Sequence, residues 1–294
     1  NKPAYIELPM NLVNENLTIN MNKNKLINYN NCFNIKNKEL LNNIINDINN
    51  SNNPIVIIGT KIRNQDYKKY TLNFINKLNT TYCCLPNAKG ILSEENRNYI
   101  GIYWQEISDI NVEKIINKAD YYIYIGCLLN DYNTSGFKHK CGKNNSVFIN
   151  LDNIFYKNVK YNINNFNKTL NYITKNIIEN STLLNFYIKN KKIEKIFLIL
   201  PNKELNLKSL QKITEKYVKN NTTIVTETGT SWITTIFMKL KQDSIFQIQM
   251  QYGSIGWSLP AALGCYLAKP SNDLMLFIGD GSLQMTVQSI VSQI

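Results

Sequence analysis

Pro54-Ile-Val-Ile-Ile-Gly59 is a continuous apolar run behind a proline, too short for a helix and without polar alternation. A strand that reads this way has both faces covered, which is the condition of a parallel sheet flanked by helices. Further strands are predicted at TYCCL (81–85), YYIYIG (121–126), SVFINL (146–151), TTIVTE (222–227) and 273–278. Helical periodicity fills the intervals. KELLNNIINDI sets Leu40, Leu41, Ile44, Ile45 and Ile48 on one face, and further helices are predicted near 66–78, over VEKIINKA (112–119) and as one long element near 167–190. The alternation predicts an α/β chain with two parallel-sheet domains, helices lying on both faces of each. The first, residues 36–190, is expected to hold a six-stranded parallel sheet. The second, 191–294, has helices predicted at 205–219, 231–240 and 257–268, with strands at 222–227, 245–249 and 273–278. Ahead of both, AYIEL (4–8) reads as a short strand closed by Pro9, and an Asn-rich linker runs over 13–35.

The composition narrows the function. A formal net charge of +12 over 294 residues raises the question of nucleic acid, but the lysines are scattered among Asn and Ile without interleaved aromatics. They read as solvated surface, and no nucleic-acid partner is predicted. No apolar run approaches the ~20 residues of a membrane span, so no membrane partner is expected. The six cysteines show no CxxC pair or zinc spacing, and His139 is the single histidine. Reduced, mostly buried thiols in a cytoplasmic protein are expected. Asparagine is over-used up to about residue 221 and then, apart from Asn272, disappears. The excess reads as drift wherever the surface tolerates it, which makes the Asn-poor tail the segment under most chemical constraint. The chain starts at Asn1 rather than Met and stops inside an apparent helix, so a piece of a longer protein is expected. No GxGxxG follows any strand of the first domain, which leaves a nicotinamide site there without support.

Half of the 12 glycines fall between Gly229 and Gly281, at the ends of strands. Three loops result: ETGTS (227–231), QYGSIGWSLPAALG (251–264) and GDGS (279–282). In a parallel sheet, loops at the carboxyl ends of strands converge on one crevice. Asp280 offers a hard oxygen ligand suited to Mg²⁺. Gly281 and Ser282 open a helix whose N–H groups attract phosphate. The plain alternative is an Asp N-cap on a turn. Ile255, alone, would be core filler; between Gly253-Ser254 and Gly256 it is a bulky apolar side chain in a loop otherwise cleared of bulk.

ETGTSW, QYGSIGWSLPAALG and LFIGDGSLQMTVQSI resemble the thiamine-diphosphate-dependent 2-oxo-acid decarboxylases of the pyruvate decarboxylase family. PNAKGILSEENRNYIGIYWQEIS, ADYYIYIGCLLNDYNTSGF and the opening PAYIELPMNLV are similar to that family's counterparts in the same order. The resemblance implies a carbon–carbon lyase that decarboxylates a 2-oxo acid, foremost pyruvate to acetaldehyde and CO₂, with thiamine diphosphate and Mg²⁺. It implies that Asp280 binds the metal, that Gly281 and Ser282 meet the diphosphate, and that the Gly253 carbonyl accepts from the aminopyrimidine. By the same resemblance Thr228, Thr230 and Ser254 line the cofactor, while Ile255 wedges between its rings and keeps it bent. Residues 1–12 would be the end of a pyrimidine-binding domain, 36–190 the middle domain and 191–294 a truncated diphosphate-binding domain. The catalytic Glu would lie in the preceding domain, with none in this stretch. A second metal-binding Asn is expected beyond Ile294, and residues 1–294 alone are expected to be inactive. The family implies a homodimer or homotetramer with active sites at the subunit interface. Some fungal members carry cysteines just after the first middle-domain strand, where this chain has Lys61 and Ile62. An indolepyruvate, phenylpyruvate or branched-chain 2-oxo-acid decarboxylase would share these loops, as would a catalytically silent scaffold paralogue.

Overall fold

A computed structural model of the protein describes residues 38–137, 145–191 and 205–293. The strand expected at 4–8, together with Cys32, His139 and Cys141, lies outside them. The described residues belong to one compact unit that carries both sheets.

The first region runs α1 (Lys38–Asn50), β1 (Pro54–Ile58), α2 (Gln65–Leu78), β2 (Tyr82–Cys84), β3 (Tyr99–Ile102), α3 (Ile110–Lys118), β4 (Tyr121–Ile125), β5 (Ser146–Ile149), β6 (Asn153–Tyr156), β7 (Val159–Asn162), α4 (Phe166–Asn176) and α5 (Thr182–Asn190). Its strands form one sheet in the order β3-β2-β1-β4-β5-β6-β7. All residues of β1 and β4 are buried. Successive side chains point to opposite faces, so both faces of the sheet centre are covered. α1 contributes Leu40, Leu41, Ile44, Ile45 and Ile48, and α2 and α4 pack on one another.

The sheet has seven strands where six were expected, and its last two pairings, β5 with β6 and β6 with β7, are antiparallel. The reason is connection length. Only residues 150–152 separate β5 from β6, too few for the crossover that a parallel neighbour needs. β6 and β7 are then joined through Lys157 and Asn158, both at positive φ (48° and 65°), the conformation of a tight two-residue hairpin turn. β3 also escaped the sequence reading; it carries Gly101 and pairs with β2 through a register shift. The long helix expected near 167–190 is two helices. Between them Asn180 donates its N–H to the Leu78 carbonyl at 2.7 Å and its Nδ2 to the Ser51 carbonyl at 2.9 Å, which draws the chain out of helical geometry.

The second region runs α6 (Leu207–Tyr217), β8 (Thr222–Thr226), α7 (Thr230–Ile236), β9 (Ile245–Ile248), α8 (Ser258–Ala268), β10 (Asp273–Phe277), α9 (Asp280–Met285) and a 3₁₀ stretch, Val287–Gln293. Its parallel sheet has the order β10-β8-β9. A buried ion pair ties it to the first region. Lys89 Nζ lies 2.6 Å from Glu94 Oε1 and donates to the Met238 carbonyl at 2.7 Å. Glu94 Oε2 accepts from the Leu240 N–H at 3.0 Å.

Surface drift does not account for all of the asparagine. Asn64, Asn165 and Asn206 cap α2, α4 and α6 by accepting from backbone N–H groups two or three residues on. Asn98, Asn130 and Asn133 are buried and hydrogen-bonded. Of the described cysteines, Cys83, Cys84 and Cys127 are buried and Cys265 is half-buried, and none of the four is in a disulfide.

Candidate active site

The loops after β8, β9 and β10 leave the same end of the parallel sheet, and they touch. β8 is buried throughout and delivers Glu227, which is fully buried, and Thr228, which is half-buried. Gly229 follows at φ 104°, a conformation that L side chains rarely adopt, and α7 starts at Thr230. Thr228 Oγ1 donates to the Ser254 carbonyl at 3.5 Å, so the first loop meets the second. Within the second loop, Gln249 Oε1 accepts from the N–H groups of Tyr252 and Gly253, both at 3.1 Å, and Gln249 Nε2 donates to Ser254 Oγ at 3.0 Å. One glutamine side chain thus folds this turn. Thr286 Oγ1 donates to the Gly256 carbonyl at 2.8 Å, and a Cβ on Gly256 would stand 2.8 Å from Met285 Cβ and 3.5 Å from the Ser282 carbonyl, so the second loop packs against α9, the helix that the third loop opens.

The turn pushes Ile255 outward, where it is 60% exposed. It is not core filler. Asp280 is exposed and occupies the first residue of α9; Gly279 is the N-cap, and no side-chain cap bond is made. The plain N-cap reading of Asp280 therefore does not describe it. Nor do the flanking glycines serve backbone strain, since Gly279 sits at an ordinary φ of −77° and Gly281 is not among the positive-φ glycines. Both face open space, with nothing within 4 Å of where a Cβ would be. Ser282 lies next to them, half-buried. The structure thus brings Thr228, Gly253, Ser254 and Ile255 together, with the adjoining Gly256 against α9. Among the described residues, no hydrogen bond joins the side chain of Thr230 or Asp280 to the other candidates.

Two contributions went unassigned in the sequence. One is the loop after β4, within the quoted ADYYIYIGCLLNDYNTSGF. Asn130 and Asn133 close it reciprocally, each side-chain oxygen accepting the other's N–H at 2.9–3.0 Å. Asn130 Nδ2 then donates to the Met250 carbonyl at 2.8 Å, and the Tyr132 hydroxyl would stand 2.9 Å from a Cβ on Gly253. Trp104 Nε1 holds the Tyr132 carbonyl at 2.7 Å, and the Tyr132 ring meets Trp232 edge-on. The legible signal was the Asn-x-x-Asn spacing. The other contribution is Glu227. Its Oε1 accepts from the Thr228 N–H at 2.8 Å, and its Oε2 accepts from the Ser258 N–H and Oγ–H at 3.1 and 2.7 Å. A glutamate directly at the end of a predicted buried strand was the signal there.

The donor set consists of a carboxylate, hydroxyls and backbone groups around an open, glycine-lined space. Hard oxygen ligands and small residues of this kind suit a divalent cation with a phosphorylated ligand. Among the described residues, no cluster of three or more His, Cys, Asp or Glu side chains could hold a metal ion unaided. No described helix is long and apolar enough to cross a membrane.

Residues 41–167 match the thiamine pyrophosphate enzyme central domain, and residues 227–294 match the C-terminal TPP binding domain of the same enzymes. A probable pyruvate decarboxylase of Schizosaccharomyces pombe is 31% identical over 245 residues, covering 83% of this chain and 43% of the relative. A second from that yeast is 31% identical over 304 residues, covering 100% of this chain and 52% of the relative. A pyruvate decarboxylase of Arabidopsis thaliana is 29% identical over 243 residues, 82% of this chain and 41% of the relative. The chain spans about half the length of these relatives.

Proposed function

The chain belongs to the pyruvate decarboxylase family of thiamine pyrophosphate enzymes, and on that premise we propose that the protein carrying it decarboxylates a 2-oxo acid, pyruvate foremost, to an aldehyde and CO₂. Thiamine diphosphate and Mg²⁺ are the proposed cofactors. A cytoplasmic homodimer or homotetramer with its sites at subunit interfaces is the proposed assembly, and residues 36–190 and 191–294 are the proposed domains. The observation that carries the reading is the contact of the loops after β8 and β9 with each other and with α9, beside an outward-pointing Ile255.

The proposed roles follow from what each group presents. Asp280 supplies a carboxylate to Mg²⁺, which takes few protein ligands and completes its shell with phosphate oxygens and water. Gly281 and Ser282 lie in the first turn of α9 beside the space left open at Gly279 and Gly281, where their N–H groups would meet a diphosphate. Thr228 and Thr230 present hydroxyls from the first loop. The Gly253 carbonyl is a fixed acceptor because Gln249 and Tyr132 hold its turn. Ile255, exposed on its turn, would press against a bound cofactor and orient its reactive groups without bonding to them. Bound thiamine diphosphate supplies the electron sink for loss of CO₂, and the protein supplies geometry and electrostatics.

Asp280→Asn in the full-length protein tests the metal role. A neutral amide cannot offset a cation's charge as a carboxylate does, so aldehyde release from pyruvate should fall below detection at millimolar Mg²⁺. The exposed position predicts an unchanged melting temperature without cofactor. Turnover at the parental rate would show that the metal is held elsewhere.

A further inference from the structure

Gly229, Gly253 and Gly256 all sit at positive φ in the loops that form the candidate site. Glycine-rich backbone is costly to order, so a site built from it needs an internal fastening. Glu227 is the single fully buried acidic residue among these loops, and its side chain lies beneath the site. Oε1 holds the Thr228 N–H, Oε2 holds the Ser258 N–H and hydroxyl, and the residue's own N–H donates to the Phe277 carbonyl at 2.9 Å. Thr228 belongs to the first loop. Ser258 begins α8, directly after Gly256 and Trp257, and Phe277 ends β10 two residues before Gly279. One residue is therefore bonded to the roots of all three loops.

We infer that Glu227 is a positioning residue for the proposed thiamine diphosphate site, fixing the spacing between the Thr228 loop and the Gly253–Ile255 turn before any ligand arrives. This rests on the cofactor reading above. Both oxygens act as acceptors towards backbone N–H groups that have no rotational freedom. Glutamine, nearly identical in shape, cannot replace it: an amide must set its NH₂ group against either the Thr228 or the Ser258 N–H, donor against donor. The Thr228 loop then moves away from Ser254, and the preformed site is lost while the core beneath β8 stays filled. Groups that orient those touching a ligand are worth about 10–100-fold in binding or activity when removed.

The experiment is a titration of the full-length protein with thiamine diphosphate at saturating Mg²⁺, followed by quenching of Trp232 and Trp257, which flank the first and second loops. Glu227→Gln should weaken binding about 10–100-fold. Ser258→Ala removes one of the three side-chain bonds and keeps the N–H; it should weaken binding about three- to tenfold with little change in the melting temperature without cofactor. A purely structural role would lower that melting temperature and leave Kd untouched, a result that overturns the inference. Should Glu227→Gln fail to fold, Ser258→Ala decides: parental Kd overturns the inference, weakened binding supports it. If the parental protein itself fails to bind thiamine diphosphate, the cofactor reading falls and this inference with it; if it binds and both variants bind equally, only the inference falls.

Discussion

The sheet of β1–β7 and the sheet of β8–β10 follow one strand–helix plan but are covered to different extents. In the first, β1 and β4 are buried at every residue. In the second, only β8 is, while no residue of β10 is fully buried. α8 is apolar on all sides, SLPAALGCYLA, yet leaves Tyr266 and Leu267 exposed. A helix with that pattern is suited to cover on every side. The first region devotes its sequence to a core that closes on itself. The second presents loops, glycines and apolar side chains outward, as a surface that meets ligands and partners does.

The largest expected effect lies where the two regions join. Lys89 and Glu94 are almost fully buried and serve both each other and the backbone of Met238 and Leu240. Replacing a buried pair whole can be neutral, but removing one partner leaves an uncompensated charge and costs about 3–5 kcal/mol. Lys89→Met should lower the free energy of unfolding by about that amount in urea denaturation. A separate early transition confined to the second region would show that the pair fastens two independently stable parts.

The contrast between the regions sharpens with a matched pair of isoleucines. Ile57, at 0% exposure in β1, and Ile255, at 60%, differ in setting rather than chemistry. Ile57→Ala leaves a cavity in a closed core and should cost about 2–5 kcal/mol of stability. Ile255→Ala should leave unfolding within about 0.5 kcal/mol of the parent. Its effect should be on turnover, with kcat lower by about 10²-fold and cofactor affinity changed far less, since the proposed role is orientation. Parental kcat at full cofactor occupancy would return Ile255 to the class of ordinary surface residues.

The same contrast explains what could be read from sequence. The buried strands β1, β4 and β8 announce themselves because they are short runs of apolar, aromatic and β-branched residues, and the five inward positions of α1 follow helical spacing. β3, β6 and β7 did not, because their burial alternates or fades towards the edge, and edge strands carry polar residues such as Lys160 and Asn162. The site loops were legible as glycine-rich strand ends. What their side chains hold was less so: Glu227 and Asn130 act on backbone groups 31 and 120 residues away, a relation that no local pattern carries.

A smaller effect, spread over several groups, separates the regions by pH. Burial pushes the thiols of Cys83 and Cys84 and the phenols of Tyr82, Tyr99 and Tyr121 well up, and all five lie on strands of the first sheet. Neighbouring charge adds to the shift, from Glu94 at Cys84, Tyr82 and Tyr99, and from Asp47 at Tyr121. Raised acid pKa values mean that the folded chain keeps protons which the unfolded chain releases. The unfolded state then binds fewer protons, and stability falls as pH rises. The loss should begin near the ordinary thiol pKa of about 8.5, steepen near 10 as unfolded tyrosines ionise, and run at about 1.4 kcal/mol per pH unit for each group held neutral. Urea unfolding at pH 7, 9 and 10 measures it directly. Cys83→Ser with Cys84→Ala should flatten the segment between 8.5 and 10 and leave the tyrosine segment in place. If the decline between 8.5 and 10 instead survives both substitutions unchanged, the alkaline sensitivity in that range resides outside these two thiols.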